Sequence, residues 1–282
     1  QWKTNDEHIH IQSDQPALRE LRGHHANIRN DTGALLGITG SRHTNYQNRA
    51  VIQLGDILAD QGEITWKNAG MFKGGAMCYA QGKLPYHLDV VPGDRIDPYI
   101  TFTWAHDGSG AFAAFLTYIR IFCENQTGAI ATDMDLLFKF RHTKGIEEKT
   151  RQAANLITAT NKAFNALDDT AQELVHKRIS SGQFRDIVHA LYPDPELGPT
   201  PTRTENIREN LYYLFTDGKG QRHPGVQGTA WAALNAITEF TTHHKTARGA
   251  NFQEKQLSRL HSTFSGDSAK QERTTLKLLL AA

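Results

Sequence analysis

YITFTWAHDGSGAFAAFLTYIRIF, residues 99–122, decides the fold. Ile100, Phe102 and Trp104 alternate with Tyr99, Thr101 and Thr103, the period of two that sends successive side chains to opposite faces of a strand. Residues 106–110 (HDGSG) contain Asp-Gly, a preferred hairpin-turn pair, and the apolar run over 112–122 returns from it. A lone hairpin is marginal in water, so this one requires further strands or helices to cover its apolar side chains.

Those strands are legible on both flanks. Segments 64–71 and 76–83 enclose Lys73-Gly74-Gly75, whose adjacent glycines supply the positive φ of a second hairpin turn. Residues 87–91 read as a strand closed by Pro92-Gly93-Asp94, and 136–142 as another, giving a sheet of about six strands. Upstream, Tyr46, Ala50, Val51, Leu54, Ile57 and Leu58 recur at helical spacing, with Thr44 or Asn45 as a cap and Gly62 as a stop. Asn125 or Thr127 caps a short helix through residue 131.

Beyond Ile146 nothing reads as a strand, and helices are expected over 147–167, 170–179, 184–191, 205–215, 229–245 and 269–280. The expectation is an α+β protein: a hairpin-rich, mainly antiparallel sheet with packed helices, followed by a helical C-terminal half. Its organisation is an extended N-terminal arm over 1–35 with one short helix near 17–21, a core over 36–192, a Pro-rich loop over 193–202 (PDPELGPTP within it), and a helical region over 203–282.

With 39% apolar and 22% charged residues the chain has the composition of a folded globular protein. No run approaches the roughly 20 apolar residues of a membrane span, and the polar stretch after Gln1 holds no signal-peptide core, so a cytoplasmic protein is expected. Cys78 and Cys123 sit in apolar, strand-like segments, the setting of reduced buried thiols. The net charge of +1 leaves the choice of partner to charge distribution. One locally basic segment sets Lys139, Arg141, Lys144, Lys149 and Arg151 against Glu147 and Glu148. A second runs over 240–282.

No complete catalytic motif is present. The His pairs His8/His10, His24/His25 and His243/His244 lack the further ligands of a known metal site, and no glycine cluster forms a Rossmann or phosphate-loop pattern, so neither metal nor cofactor is expected. His106, Asp107, Cys123, Glu124 and Asn125 form a candidate polar cluster on the central hairpin and its exit. Ordinary roles explain most of it: Asp107-Gly108 as turn residues, Cys123 as a small apolar side chain, Asn125 as a cap. Cys123 lies too far along its strand from His106 for a thiol-histidine pair. Arg120 interrupts an apolar run, so it pairs with a buried carboxylate or faces a ligand. Trp66, Phe72 and Trp104 interleave with cations, and stacking aromatics beside Lys139, Arg141, His142 and Lys144 suit single-stranded nucleic acid. Amphipathic strands with aromatics inward and lysines outward give the same pattern.

Five ordered segments carry a resemblance: LGITGSRHTNYQNRAV (36–51), AGMFKGGAMCYA (69–80), PYITFTWAHDGSGAFAAFLTYIRIFCENQTGAI (98–130), FKFRHT (138–143) and GTAWAALNAITEFTTHH (228–244). Together they resemble the phage/plasmid-like protein family, a domain of unknown function found on phages, prophages and plasmids. The His-Asp-Gly turn followed by Arg, Cys and Asn is its most specific signature. The chain departs from that pattern at His43, where Tyr is usual, at Ala76, where Arg is common, and at Asn125-Gln126-Thr127, where Leu commonly follows an Asn-Thr pair. The resemblance implies a mobile-element setting of DNA replication, recombination or counter-defence.

Three readings follow. The first is a DNA-binding protein, acting in single-strand binding or annealing as a homo-oligomer, with Arg120, Lys139, Arg141, His142 and Lys144 on phosphates and Trp66, Phe72 and Trp104 on bases. The second is an enzyme acting on nucleic acid or a nucleotide through His106, Asp107 and Glu124. The third is a module that captures a host factor through its helical half.

Overall fold

A computed structural model describes residues 3–11, 19–60, 63–120, 125–127, 136–142 and 156–282. The chain divides into two compact units, one built from Gln1–Pro85, Ile100–Phe115 and Leu136–Thr160, the other from Tyr86–Tyr99, Leu116–Asp135 and Asn161–Ala282.

In the first unit, β1 (Thr4–Ile11), β2 (Arg19–Arg29) and β3 (Leu35–Gly40) form an antiparallel sheet in the order β1-β2-β3. Residues 19–21, expected in a short helix, are the start of β2, paired to β1 through Ile11↔Arg19 and His10↔Glu20. A helix there would have left β1 without its partner. Helix α1 (Asn48–Asp60) carries Val51, Leu54 and Leu58 on its buried face, as the spacing requires. The larger sheet of this unit contains β4 (Thr65–Phe72), β5 (Met77–Lys83), the second half of β7 (Arg95–Ala105), the first half of β8 (Phe112–Arg120) and β10 (Leu136–Phe140), in the order β10-β8-β7-β5-β4. β4 and β5 close through Phe72↔Met77 over Lys73–Gly75, where Gly74 (φ 66°) and Gly75 (φ 107°) occupy the left-handed region that glycine enters without penalty.

In the second unit, the start of β7 pairs with β6 (Leu88–Asp89), and the end of β8 pairs with β9 (Asn125–Thr127) through Tyr118↔Thr127 and Arg120↔Asn125. Asn125 therefore begins a strand rather than capping a helix, because β8 offers its backbone a partner. Among the described residues six helices follow: α2 (Leu156–His176), α3 (Ser181–Leu191), α4 (Thr202–Asp217), α5 (Ala230–Glu239), α6 (Phe252–Ser265) and α7 (Asp267–Ala281). α2 joins what the sequence reading split into two helices; no Gly or Pro separates 167 from 170, and the Thr170 hydroxyl donates back to Ala166 O at 2.8 Å. Residues 147–155, the expected start of that helix, lie outside the described residues.

Every residue of α5 is buried, so this helix is the axis on which the unit packs; it touches α4, α7 and β9. Thr229 caps it, its hydroxyl accepting from Ala232 N at 3.0 Å. The helix widens into a five-residue π turn over Phe240–His244, where the reading had a single helix to 245. α6 was missed because its surface is mostly polar, yet its start is written in Asn251 and Glu254: the Asn251 side chain accepts from Glu254 N at 2.9 Å. No described helix is long and apolar enough to cross a membrane.

Candidate functional site

Arg120 ends β8 only 3% exposed, in the second unit. Its Nε donates to Asp94 Oδ1 at 2.5 Å and its Nη2 to Asp94 Oδ2 at 2.8 Å, a two-pronged pair with a carboxylate that is itself fully buried. Trp231 Nε1 donates to the same Oδ2 at 3.0 Å, and Arg120 Nη1 donates to Gly220 O at 2.9 Å. The turn holding Gly220 is gripped from its other end as well: Lys219 N and Gly220 N donate to the two oxygens of Glu239, each at 3.1 Å. Asp94, Arg120, Trp231 and Glu239 thus build one buried polar network, and its guanidinium is committed within the protein. The expected exposed phosphate contact at Arg120 is not found; the partner is a carboxylate from the Pro92-Gly93-Asp94 turn, whose distance of 26 residues hid it from sequence reading.

A second buried polar cluster lies in the first unit. Trp104 Nε1 donates to Asn48 Oδ1 at 2.8 Å, and since an indole N–H can only donate, this contact fixes the amide orientation. His106 Nε2 lies 2.9 Å from the same oxygen and must therefore carry the ring proton. The His106 carbonyl accepts from Asn27 Nδ2 at 2.6 Å, whose Oδ1 accepts from Asn45 Nδ2 at 3.0 Å. His142, 5% exposed, stacks on His43 with ring centroids 5.1 Å apart, and its Nδ1 donates to Thr44 O at 3.3 Å. Burial, followed by the neighbouring rings of His142 and His43, pushes His106 down to about 4. Burial and then His43 push His142 down to about 4. Both are neutral at pH 7, so His142 brings no charge to a phosphate. Sequence reading missed His43, Asn45 and Asn48 as members, although all three stand in one segment, HTNYQN.

The remaining candidates separate. Asp107 accepts from its own turn, from Ser109 N at 2.8 Å and Ser109 Oγ at 2.5 Å. Phe72 is buried and stacks on Tyr79 at 5.1 Å, Trp104 is buried, and Trp66 packs over Gly55 of α1 with its Nε1 donating to Asp56 Oδ1 at 2.9 Å. Phe72 and Trp104 present no open ring face for a base because the apolar core claims them, whereas Trp66 is half-buried with its ring against Gly55. Lys139 and Arg141 are exposed. Lys144, Cys123 and Glu124 lie outside the described residues, as does the Asn125 side chain. Burial pushes the Cys78 thiol up to about 12, which makes it an inert packing group. Among the described residues no three His, Cys, Asp or Glu side chains are grouped as metal ligands would be.

A family model described as a domain of unknown function (DUF932) matches residues 35–264. The chain belongs to that family. The match begins at the first residue of β3 and ends in α6, so it contains both buried networks except Asn27, and leaves β1, β2 and α7 outside. No curated protein matches the chain, and no solved structure does.

Two predictions rest on these networks. Arg120→Met strands a buried carboxylate and should cost about 3 to 5 kcal/mol, whereas Asp94→Leu combined with Arg120→Met should recover most of that loss. Urea unfolding of the two variants checks both values. The histidines set a pH dependence: their folded pKa lies below the unfolded value of about 6.5, so the unfolded chain takes up protons that the folded chain refuses. Stability should be full above about pH 7 and fall as pH drops from 6.5 toward 4, by roughly 3 kcal/mol for each ring at the lower end. Urea midpoints at pH 7.5 and 4.5 measure the slope, and His142→Gln should flatten it.

Proposed function

We propose that this DUF932 chain is a nucleic-acid-binding protein of a mobile element, holding single-stranded DNA by its phosphate backbone along the outer side of β10. The observation that carries the reading is the exposure of Lys139 on that strand and of Arg141 directly after it. Among the described residues β10 pairs only with β8, through Leu136↔Phe115 to Phe140↔Phe112, and so stands at the end of their strand order. Phe138 and Phe140 stack on each other at 5.0 Å, and the period of two turns Lys139 and Arg141 to the opposite face. Two cations about 6.6 Å apart along an edge strand suit an extended polyanion, and edge lysines also keep the strand from pairing with another chain.

Binding on this reading is electrostatic, with positioning by phosphate contacts and little selection among bases, since Phe72, Trp104 and Trp66 are engaged in packing. Affinity should therefore fall steeply with salt. Replacing both Lys139 and Arg141 by Ala should weaken binding to a labelled oligonucleotide and lower the slope of log K against log salt by about 1.4, two contacts at about 0.7 each. Fluorescence anisotropy over a salt series measures this. An unchanged slope in a folded double variant, or no binding at low salt by the unaltered protein, contradicts the proposal.

A further inference from the structure

Helix α7 arranges cations of the second basic segment, 240–282, into a row. Ser268, Ala269, Glu272, Thr275, Leu276 and Leu279 form its buried side, and the helix packs on α3, α5 and α6. That packing fixes which side faces out, and Lys270, Arg273 and Lys277 are all exposed on it. At about 100° and about 1.5 Å per residue, the three fall within about 60° of one another, spaced by about 4.5 Å and then about 6 Å along the axis. Arg273 Nε donates to Ala269 O at 3.2 Å, one turn back, which ties its side chain down along the helix.

Ordinary roles do not account for the row. A solvated helix face balances its charges by pairing acids with lysines three or four residues apart. Here Glu272 is buried, accepting from the Thr241 hydroxyl at 2.9 Å, and Asp267 stands in the first turn, where a carboxylate complements the helix N-terminus. Among the described residues no carboxylate lies within ion-pair distance of Lys270, Arg273 or Lys277. None of the three is in the last turn, where cations answer the helix dipole; Lys177 serves that end, its Nζ donating to Leu280 O at 3.1 Å. Three uncompensated cations held close together repel one another, so the row is stabilised by an anion of matching extent.

We propose that the outer face of α7 is a docking surface for double-stranded DNA, whose phosphate backbone it holds at Lys270, Arg273 and Lys277. Charge complementarity calls for a polyanion, and the rest of the face selects the kind. Single strands are gripped by aromatics that stack bases beside cations, and no exposed residue of α7 is aromatic. A duplex keeps its bases stacked inside and presents its phosphates in regular rows, so cations on a rigid helix suffice. An anionic membrane needs apolar side chains that insert beside the cations, and α7 exposes no large apolar one. This surface belongs to the second unit, so the proposal goes beyond the β10 reading and does not rest on it.

Fluorescence anisotropy of the full chain with one labelled oligonucleotide, as a duplex and as a single strand over a salt series, tests it. Replacing Lys270, Arg273 and Lys277 together by Gln should lower the duplex slope of log K against log salt by about 2.7, three contacts at about 0.9 each, and each single replacement by about 0.9. The triple variant should leave single-strand binding unchanged. Lys139→Ala with Arg141→Ala should leave duplex binding unchanged, which separates failure here from failure of the β10 reading. Lys270→Arg with Lys277→Arg keeps the charges and should keep the affinity. No duplex binding at low salt, an unchanged slope in the Gln variants, an equal loss for the single strand, or displacement of the duplex by polyglutamate or phosphatidylglycerol vesicles at equal charge overturns the proposal.

Discussion

The buried pair of Asp94 and Arg120 is the constraint on which the helical unit depends. Two full charges without water are tolerable only if every polar atom around them is used, and the neighbouring groups supply that. Arg120 spends its donors on Asp94 and Gly220 O, Asp94 accepts a further bond from Trp231, and Glu239 accepts two backbone N–H groups of the same turn. The cost of desolvation then works as a selector: the end of β8, the turn after β6, the start of α5 and the Lys219–Gln221 turn must all be in register, or a charge is stranded. This is why α5 can be buried on every side while carrying Glu239.

The histidine cluster of the first unit solves the same problem without charge. Its polar side chains are amides, an indole and imidazoles, and the two buried rings with shifted pKa are neutral at pH 7. Neutral groups cost less to bury, so this cluster tolerates the looser contacts near 3.3 Å seen at His142. The consequence is different sensitivity: the His cluster responds to acid in the range where the rings would charge, while the ion pair answers to removal of either partner.

The fold was readable because its signals are local. The period of two in residues 99–105, the Asp-Gly turn and the Gly-Gly turn each determine a hairpin by backbone geometry alone, and β4 with β5 and β7 with β8 appear where they were expected. What escaped was decided at long range or by weak patterns. β2 was read partly as helix because its strand character comes from pairing with β1, and α6 has a capping signal but little apolar periodicity. The site reading behaved likewise. Arg120 was rightly marked as a residue needing a partner, but Asp94 lies in a turn and gave no hint of burial. Aromatics beside cations gave the same sequence pattern for a stacking platform and for a core with charged edges, and burial of Phe72 and Trp104 separates the two.

Hydrogen exchange by NMR tests the central claim most directly, read at the Trp231 indole N–H and the Gly220 amide in the unaltered protein. If Asp94, Arg120 and Glu239 form one desolvated network, both protons exchange only through global unfolding, with the same free energy as the urea transition. Exchange at either proton by local opening, far faster than global unfolding allows, would contradict it.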